Sequence, residues 1–227
     1  MLSRVLEPEV MDSAEEARDY DAMDHSTVNR LFAADFLAFW RGDGPILDVG
    51  TGTAQIPIEL CRQSATAQIT AIDLAEHMLA LGRENVRRAG LAERIKLERI
   101  DAKQMPYKSA SFAAVISNSI VHHIPEPKKV LAEMVRVARP GGVLFVRDLL
   151  RPPNQTTLEQ IVHTYAGDAN AHQRKMFADS LHAALSLTEL RDMISSLGLN
   201  PDHVRQTSDR HWTWQTTLSS SRSSRGA

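Results

Sequence analysis

The chain has 227 residues, 43% of them hydrophobic, so it can bury one sizeable core, and a single domain is the expectation. A net charge of −2 argues against the broad basic field of a nucleic-acid binder. The lone cysteine, Cys61, excludes a disulfide framework within the chain, and no apolar run reaches the ~18 residues of a membrane span. With an N-terminus too acidic and broken for a signal peptide, a cytoplasmic protein is expected.

In chain order, residues 12–41 read as helical. Asp12 or Ser13 can cap, and Glu15 and Glu16 meet the helix dipole. Leu31, Phe32, Phe36, Leu37 and Trp40 recur at helical spacing. An amphipathic helix packed on the core explains them. It does not explain the polar and aromatic cluster Tyr20, Asp21, Met23, Asp24 and His25, which suits a lid over a cofactor as well as an ordinary connection.

After a turn at residues 41–45 comes PILDVGTGTAQIPIEL, residues 45–60. Ile46, Leu47 and Val49 predict a buried strand, residues 50–54 a tight glycine turn, and Gln55 onward a helix that tolerates Pro57 in its first turn. Strand, glycine turn and helix N-terminus together make a nucleotide-binding corner. The dinucleotide pattern G-x-G-x-x-G is met at Gly50 and Gly52 but fails at Gln55. Asp48 precedes the turn. Asp73 closes the next apolar run 25 residues later, which leaves room for one crossover helix. A carboxylate there can take both hydroxyls of a ribose.

A helix then runs to Gly90, and Ile95–Ile100 alternates as a strand ending at Asp101-Ala102. Residues 113–117 form a buried strand ending at Asn118-Ser119, followed by His122, His123 and Pro125. Lys128–Val137 reads as a helix stopped by Arg139-Pro140-Gly141-Gly142, and Val143–Val146 as a strand ending at Arg147-Asp148. Beyond Pro152-Pro153, residues 154–186 carry helical patterns interrupted by Tyr165, His172, Arg174, Lys175 and His182, the last read as a satisfied core histidine. Thr188 caps a final helix that Gly198 stops, and residues 203–207 and 211–217 form a closing hairpin.

This alternation predicts an α/β, Rossmann-like, doubly wound fold: a mostly parallel seven-stranded sheet with a C-terminal antiparallel hairpin and a helical cap. The expected parts are an N-terminal helical lid (1–44), a cofactor core (45–150), a substrate cap (151–187), a closing helix and hairpin (188–218), and a disordered tail (219–227). Asp48, Asp73, Asp101, Asn118 and Asp148 all fall at strand ends, where ligands bind in such sheets.

Over residues 45–150 these motifs resemble the class I S-adenosylmethionine (SAM)-dependent methyltransferases, whose first motif reads D/E-x-G-x-G. LDVGTGTA is similar to that motif and AIDLAEHML to the acidic motif of the second strand. RIDAKQMPYKSASFAAVISNSIVHHI resembles the adenine-side and fourth-strand stretch, and LAEMVRVARPGGVLFVRD the fifth strand with its approach. Tyr20-Asp21-x-Met23 looks like the N-terminal segment of the ubiquinone/menaquinone C-methyltransferase branch, with a methyltransferase domain of type 11/25. Ala54 in place of a third glycine, and Arg147-Asp148 after the fifth strand, depart from the pattern.

The resemblance implies SAM as cofactor. Asp48 and Gly50-Thr51-Gly52 would hold its methionine part, Asp73 the ribose, Leu74 and Met78 the adenine face, and Asp101 with Ala102 the adenine amino group. Tyr20 would join from the lid, and Asn118 and Ser119 would line the path to the sulfonium. His122 and His123 are the expected catalytic bases, with simple packing at the core edge as the alternative. His25, Tyr165, His172 and Arg174 are the expected substrate contacts. The partner expected is a small molecule, with no nucleic acid. No metal is expected, because adjacent histidine side chains should diverge. The competing readings are a NAD-dependent oxidoreductase and a non-catalytic SAM-binding protein.

Overall fold

A computed structural model describes residues 2–8, 10, 12–40 and 42–220. From residue 221 the expected tail lies outside the described residues. The elements are α1 (Ala14–Ala22), α2 (Ser26–Phe39), β1 (Pro45–Val49), α3 (Gln55–Gln63), β2 (Gln68–Asp73), α4 (Glu76–Arg88), β3 (Ile95–Arg99) and β4 (Phe112–Asn118). A 3-10 turn (Val121–His123) leads to α5 (Pro127–Val137), β5 (Ala138–Leu149), α6 (Gln155–Ala166), α7 (Ala171–Ala183) and α8 (Leu187–Ser196). A second 3-10 turn (Pro201–His203) leads to β6 (Val204–Gln206) and β7 (His211–Thr217).

One seven-stranded sheet runs β3-β2-β1-β4-β5-β7-β6. β1 is parallel to β2 and β4, and β2 to β3. β6 and β7 are antiparallel, with Val204 opposite Trp214. This is the mostly parallel, doubly wound sheet with a closing hairpin that the alternation of patterns predicts. The strand order reverses beside β1, so the crevice rule for open α/β sheets points to the C-terminal ends of β1 and β4.

The chain divides into two compact units. Among the described residues, the larger holds those within 10–117, 132–145 and 216–220, and the smaller those within 2–8, 118–131 and 146–215. In the larger unit, Phe32 and Phe36 of α2 join Ile46, Leu60, Ile69, Ile116 and Phe145 in one apolar cluster. The Phe32 and Phe145 rings meet edge to face at 5.2 Å, a favoured aromatic geometry. In the smaller unit Leu149, Leu158, Ile161, Leu181 and Ala184 form the core, with Leu2 and Phe177 packed against it. Among the described residues, no helix is long and apolar enough to cross a membrane.

Several boundaries differ from expectation. The helix expected over 12–41 is two helices. Met23 turns extended (φ −72°, ψ 139°), and Asp24 Oδ1 accepts from Ser26 N at 2.9 Å, which restarts the helix. Ser13 is the first cap, in a capping box with Glu16, whereas Asp12 accepts from His77 N at 3.0 Å. The Pro-Gly-Gly stretch is not a free stop but lies within β5, where Gly141 (φ 73°) donates to Leu218 O at 3.0 Å. Ser186, not Thr188, caps α8, and Glu189 completes the box by accepting from Ser186 N at 2.8 Å. Ser186→Ala should therefore cost about 1 kcal/mol in urea unfolding, and Thr188→Ala close to nothing. Equal effects would reassign the cap.

Candidate functional site

The glycine turn is built by the backbone. Gly50 (φ 76°) and Gly52 (φ 55°) sit in the left-handed region, and Ala54 (φ 64°) joins them without being a glycine. The amides of Gly50 and Thr51 both donate to Ile72 O, at 2.8 and 2.9 Å, and tie the turn to β2. A Cβ on Gly82 of α4 would come within 3.3 Å of the Thr53 carbonyl carbon and 3.4 Å of Gly52 O, so that glycine lets α4 approach the turn. Sequence reading missed Gly82, although a lone glycine inside a helical pattern is a signal of close packing.

Two carboxylates flank the turn. Asp48 is 2% exposed, and its Oδ2 has no hydrogen-bond partner among the described residues. Burial pushes its carboxyl up to about 7, with Asp73 adding to the rise and the Thr51 hydroxyl opposing it. Asp73 is held on both sides: Oδ2 accepts from Gly52 N at 2.8 Å and Oδ1 from Ala75 N at 2.9 Å. Each oxygen keeps a second acceptor site free of these two bonds. Asp73 is thus a turn cap as well as an available acceptor.

The N-terminal helices close over the turn. Tyr20 packs with Ala17, Ala75 and Met78, and its Cε1 lies 3.6 Å from where a Cβ on Gly52 would be. Burial, with Asp73 and Asp48 adding, pushes its hydroxyl up to about 12, so it stays neutral. Asp21 Oδ1 accepts from Asn85 Nδ2 (2.8 Å) and Gln55 Nε2 (3.2 Å). Asn29 Nδ2 donates to Gln55 Oε1 at 3.1 Å, and Asn85 Nδ2 also reaches Thr53 O at 3.2 Å. This network ties α1 and α2 to the turn. His25 tilts against Tyr20 with ring centroids 4.9 Å apart. It lines a cavity of about 430 Å³ with Met23, Asn29, Gln55 and Arg62.

Among the expected adenine-side residues, Met78 is buried beside Tyr20 and Ala17, and Leu74 is half-buried. Asp101 caps its own turn by accepting from Lys103 N at 2.8 Å, and it pairs with Lys103 Nζ at 3.2 Å. Ala102 is half-buried beside it. Asn118 and Ser119 fall in the smaller unit. Ser119 holds φ 58° while its amide donates to Arg147 O at 2.9 Å, a strained conformation fixed by its neighbours.

The histidine pair does not diverge. In the 3-10 turn Val121–His123 the two rings lie 4.1 Å apart and inclined by 34°. His122 is 3% exposed, and its Nδ1 lies 2.5 Å from Oδ1 of Asp148, which is fully buried. The Asp148 carboxylate also accepts from Val121 N (2.6 Å), His122 N (3.3 Å) and Leu149 N (2.6 Å). Burial opposes charge on His122, but Asp148 outweighs it and the imidazole is raised. Burial beside His122 drives His123 down to about 3. Glu7, invisible to sequence patterns, reaches His122 Nε2 at 3.4 Å and His123 Nδ1 at 3.1 Å. Arg4 fixes that segment by donating to the carbonyls of Ala183 (2.7 Å), His122 (3.1 Å) and Ile124 (3.0 Å).

The expected substrate residues of the smaller unit are not gathered. Tyr165 is 45% exposed and donates to Asp209 Oδ2 at 2.8 Å under the Arg210 guanidinium. His172 is exposed in the first turn of α7. Arg174 binds the carbonyls of Ala169 (2.5 Å) and Gly167 (3.4 Å). These polar residues mark the solvated side of α6 and α7, the ordinary role of polar positions on an amphipathic helix.

Comparison with known proteins agrees with the glycine-turn geometry. The model of a methyltransferase domain matches residues 47–146. A demethylmenaquinone methyltransferase of Porphyromonas gingivalis is 28% identical over 207 residues, which cover 81% of this chain and 83% of that protein. A 27-O-demethylrifamycin SV methyltransferase of Amycolatopsis mediterranei is 27% identical over 168 residues, covering 74% of this chain and 58% of the relative. A phosphatidylethanolamine N-methyltransferase of Cereibacter sphaeroides is 35% identical over 103 residues, and the match spans 49% of its length. The chain thus spans about half the length of several curated relatives it matches. Among solved structures, a SAM-dependent methyltransferase from Aquifex aeolicus superposes with a TM-score of 0.66 at 19% identity, covering 91% of this chain and 98% of that one. A plantazolicin methyltransferase in complex with SAH does so at 0.68 and 13% identity, covering 90% of each chain. The D-x-G-x-G turn at Asp48–Gly52 and the second carboxylate at Asp73 thus lie within residues 47–146, the stretch that is similar to a methyltransferase domain.

Proposed function

We propose that the chain transfers the methyl group of SAM to a small-molecule acceptor and that residues 1–227 form one such domain. The observation that carries this reading is the buried Asp48 Oδ2, which has no hydrogen-bond partner among the described residues, beside a turn whose Gly50 and Gly52 both hold left-handed torsions. SAM supplies a methyl already activated on a sulfonium, so no covalent nucleophile is required of the protein. Asp48 then meets the ammonium of the methionine part. Asp73, oriented by two amides, offers its remaining acceptor sites to the ribose hydroxyls. Tyr20 and Asp21 hold the N-terminal helix closed over the turn. Positioning of this kind can be worth ~7 kcal/mol or more.

Where the acceptor has a proton to lose, His122, in its neutral form and with nothing bound at Nε2, is the proposed base. Its hydrogen bond to Asp148 leaves Nε2 as the accepting nitrogen of the neutral ring. The relatives named above act on small molecules by their names, and only that broad class is carried over. NAD chemistry is disfavoured because Gln55 stands where the dinucleotide pattern needs a glycine.

Thermal unfolding with SAM, SAH or NAD tests the reading. SAM and SAH should each raise the melting temperature, since a ligand bound only by the folded state stabilises it. A larger shift with NAD would overturn the proposal. A labelled-methyl assay over a panel of metabolites then separates an enzyme from a SAM-binding protein.

A further inference from the structure

The smaller unit brings Glu7, His122 and His123 together so that one ligand atom of each lies within 4.8 Å of the others. Glu7 Oε1 lies 3.4 Å from His122 Nε2 and 3.1 Å from His123 Nδ1. His123 Nδ1 is buried and has no hydrogen-bond partner among the described residues, so its approach to Glu7 is close but not aligned as a hydrogen bond. Such spacing suits atoms that share an ion. Bonds of about 2.0–2.1 Å in a tetrahedron place neighbouring ligand atoms about 3.3–3.4 Å apart.

The surroundings hold each ligand in place. Asp148 Oδ1 engages His122 Nδ1 and turns Nε2 toward Glu7, the carboxylate–imidazole arrangement that orients metal-bound histidines. Ser180 Oγ lies 3.1 and 3.3 Å from the two Glu7 oxygens. Arg4 ties the Glu7 segment to the carbonyls on either side of His123.

We propose that Glu7, His122 and His123 bind one divalent first-row transition metal ion of the zinc type, with a fourth coordination position open. Two imidazoles and one carboxylate suit zinc, cobalt or iron, whereas magnesium and calcium favour all-oxygen sites. His122 Nε2 cannot hold an ion and a proton at once, so metal binding and the base role of His122 exclude one another.

The test is calorimetric titration of the metal-stripped full chain with zinc chloride, alongside magnesium chloride, and with cobalt chloride followed by visible absorption. The expected result is one equivalent of zinc, a tetrahedral-type cobalt spectrum and no magnesium binding. Glu7→Gln and His123→Ala should each weaken zinc binding by roughly tenfold or more. Far-UV circular dichroism and urea unfolding check that each variant is folded. Absence of stoichiometric zinc binding, or zinc affinity unchanged in both variants, overturns the proposal. A chain that binds SAH but no zinc overturns the metal site alone and leaves the proposed methyl transfer standing.

Discussion

Asp48→Asn should make the ligand-free chain more stable at pH 8 and at the same time remove most of its affinity for SAM. The Asp48 carboxyl is raised to about 7 chiefly by burial. An acid whose folded pKa lies above its unfolded value favours folding below the unfolded value and loses that contribution as pH rises through the folded one. Over this interval of roughly three units the ionised carboxylate costs about 4 kcal/mol, and an asparagine of the same shape never ionises. The same unpaired charge is what a cationic ligand group needs. Losing a charged hydrogen-bond partner should weaken SAH binding by at least about tenfold. In the parent chain, ligand binding must ionise Asp48, so affinity should rise about tenfold per pH unit below pH 7 and level off above it. Calorimetry between pH 5.5 and 8.5 in buffers of different ionisation heat reads both the slope and the released proton. A flat profile in the parent chain, or a variant with full affinity, would take Asp48 out of the site.

The glycine corner was legible because it is local. The apolar run Ile46–Val49, two glycines and a helix start all lie within a dozen residues, and each element needs only its neighbours to form. The strand-end carboxylates Asp48 and Asp73 followed from the alternation of patterns alone. Glu7 was not legible, since nothing in an irregular N-terminal segment announces a contact with a turn at residue 122. The divergence expected of His122 and His123 presumed an extended chain, and a 3-10 turn reverses it. Ser186 was a different kind of miss. Ser186-Leu187-Thr188-Glu189 is itself a capping-box pattern, and a cap at Thr188 falls two residues too late. Tyr165, His172 and Arg174 interrupt an apolar stripe, but helices α6 and α7 turn such positions to solvent or to nearby carbonyls.

Asp148→Ala should be the most damaging single change in the smaller unit. The carboxylate is fully buried and satisfies three backbone amides as well as His122 Nδ1, so its removal leaves a buried imidazole and several donors unpaired. Breaking a buried pair by deleting one partner costs about 3–5 kcal/mol. For a chain of this size that corresponds to a fall in melting temperature of roughly 6–20 °C. The pH dependence carries the signature of the pair. Asp148 is lowered: burial opposes this, but His122 and the amide of Leu149 outweigh it. Its contribution is therefore present above the unfolded carboxyl value and is lost as pH falls through the folded one. His122 is raised, so its contribution is present below the unfolded imidazole value and is lost as pH rises through the folded one. The stability difference between the parent chain and Asp148→Asn should then be greatest between about pH 4 and 6.5 and shrink at higher pH. Taking that difference removes most of the opposing effect of His123, whose depressed imidazole destabilises the folded chain as pH falls. Urea unfolding of both chains at pH 5.5, 7 and 8.5 measures it, and a difference that stays constant across this range would mean that His122 and Asp148 do not share a charge.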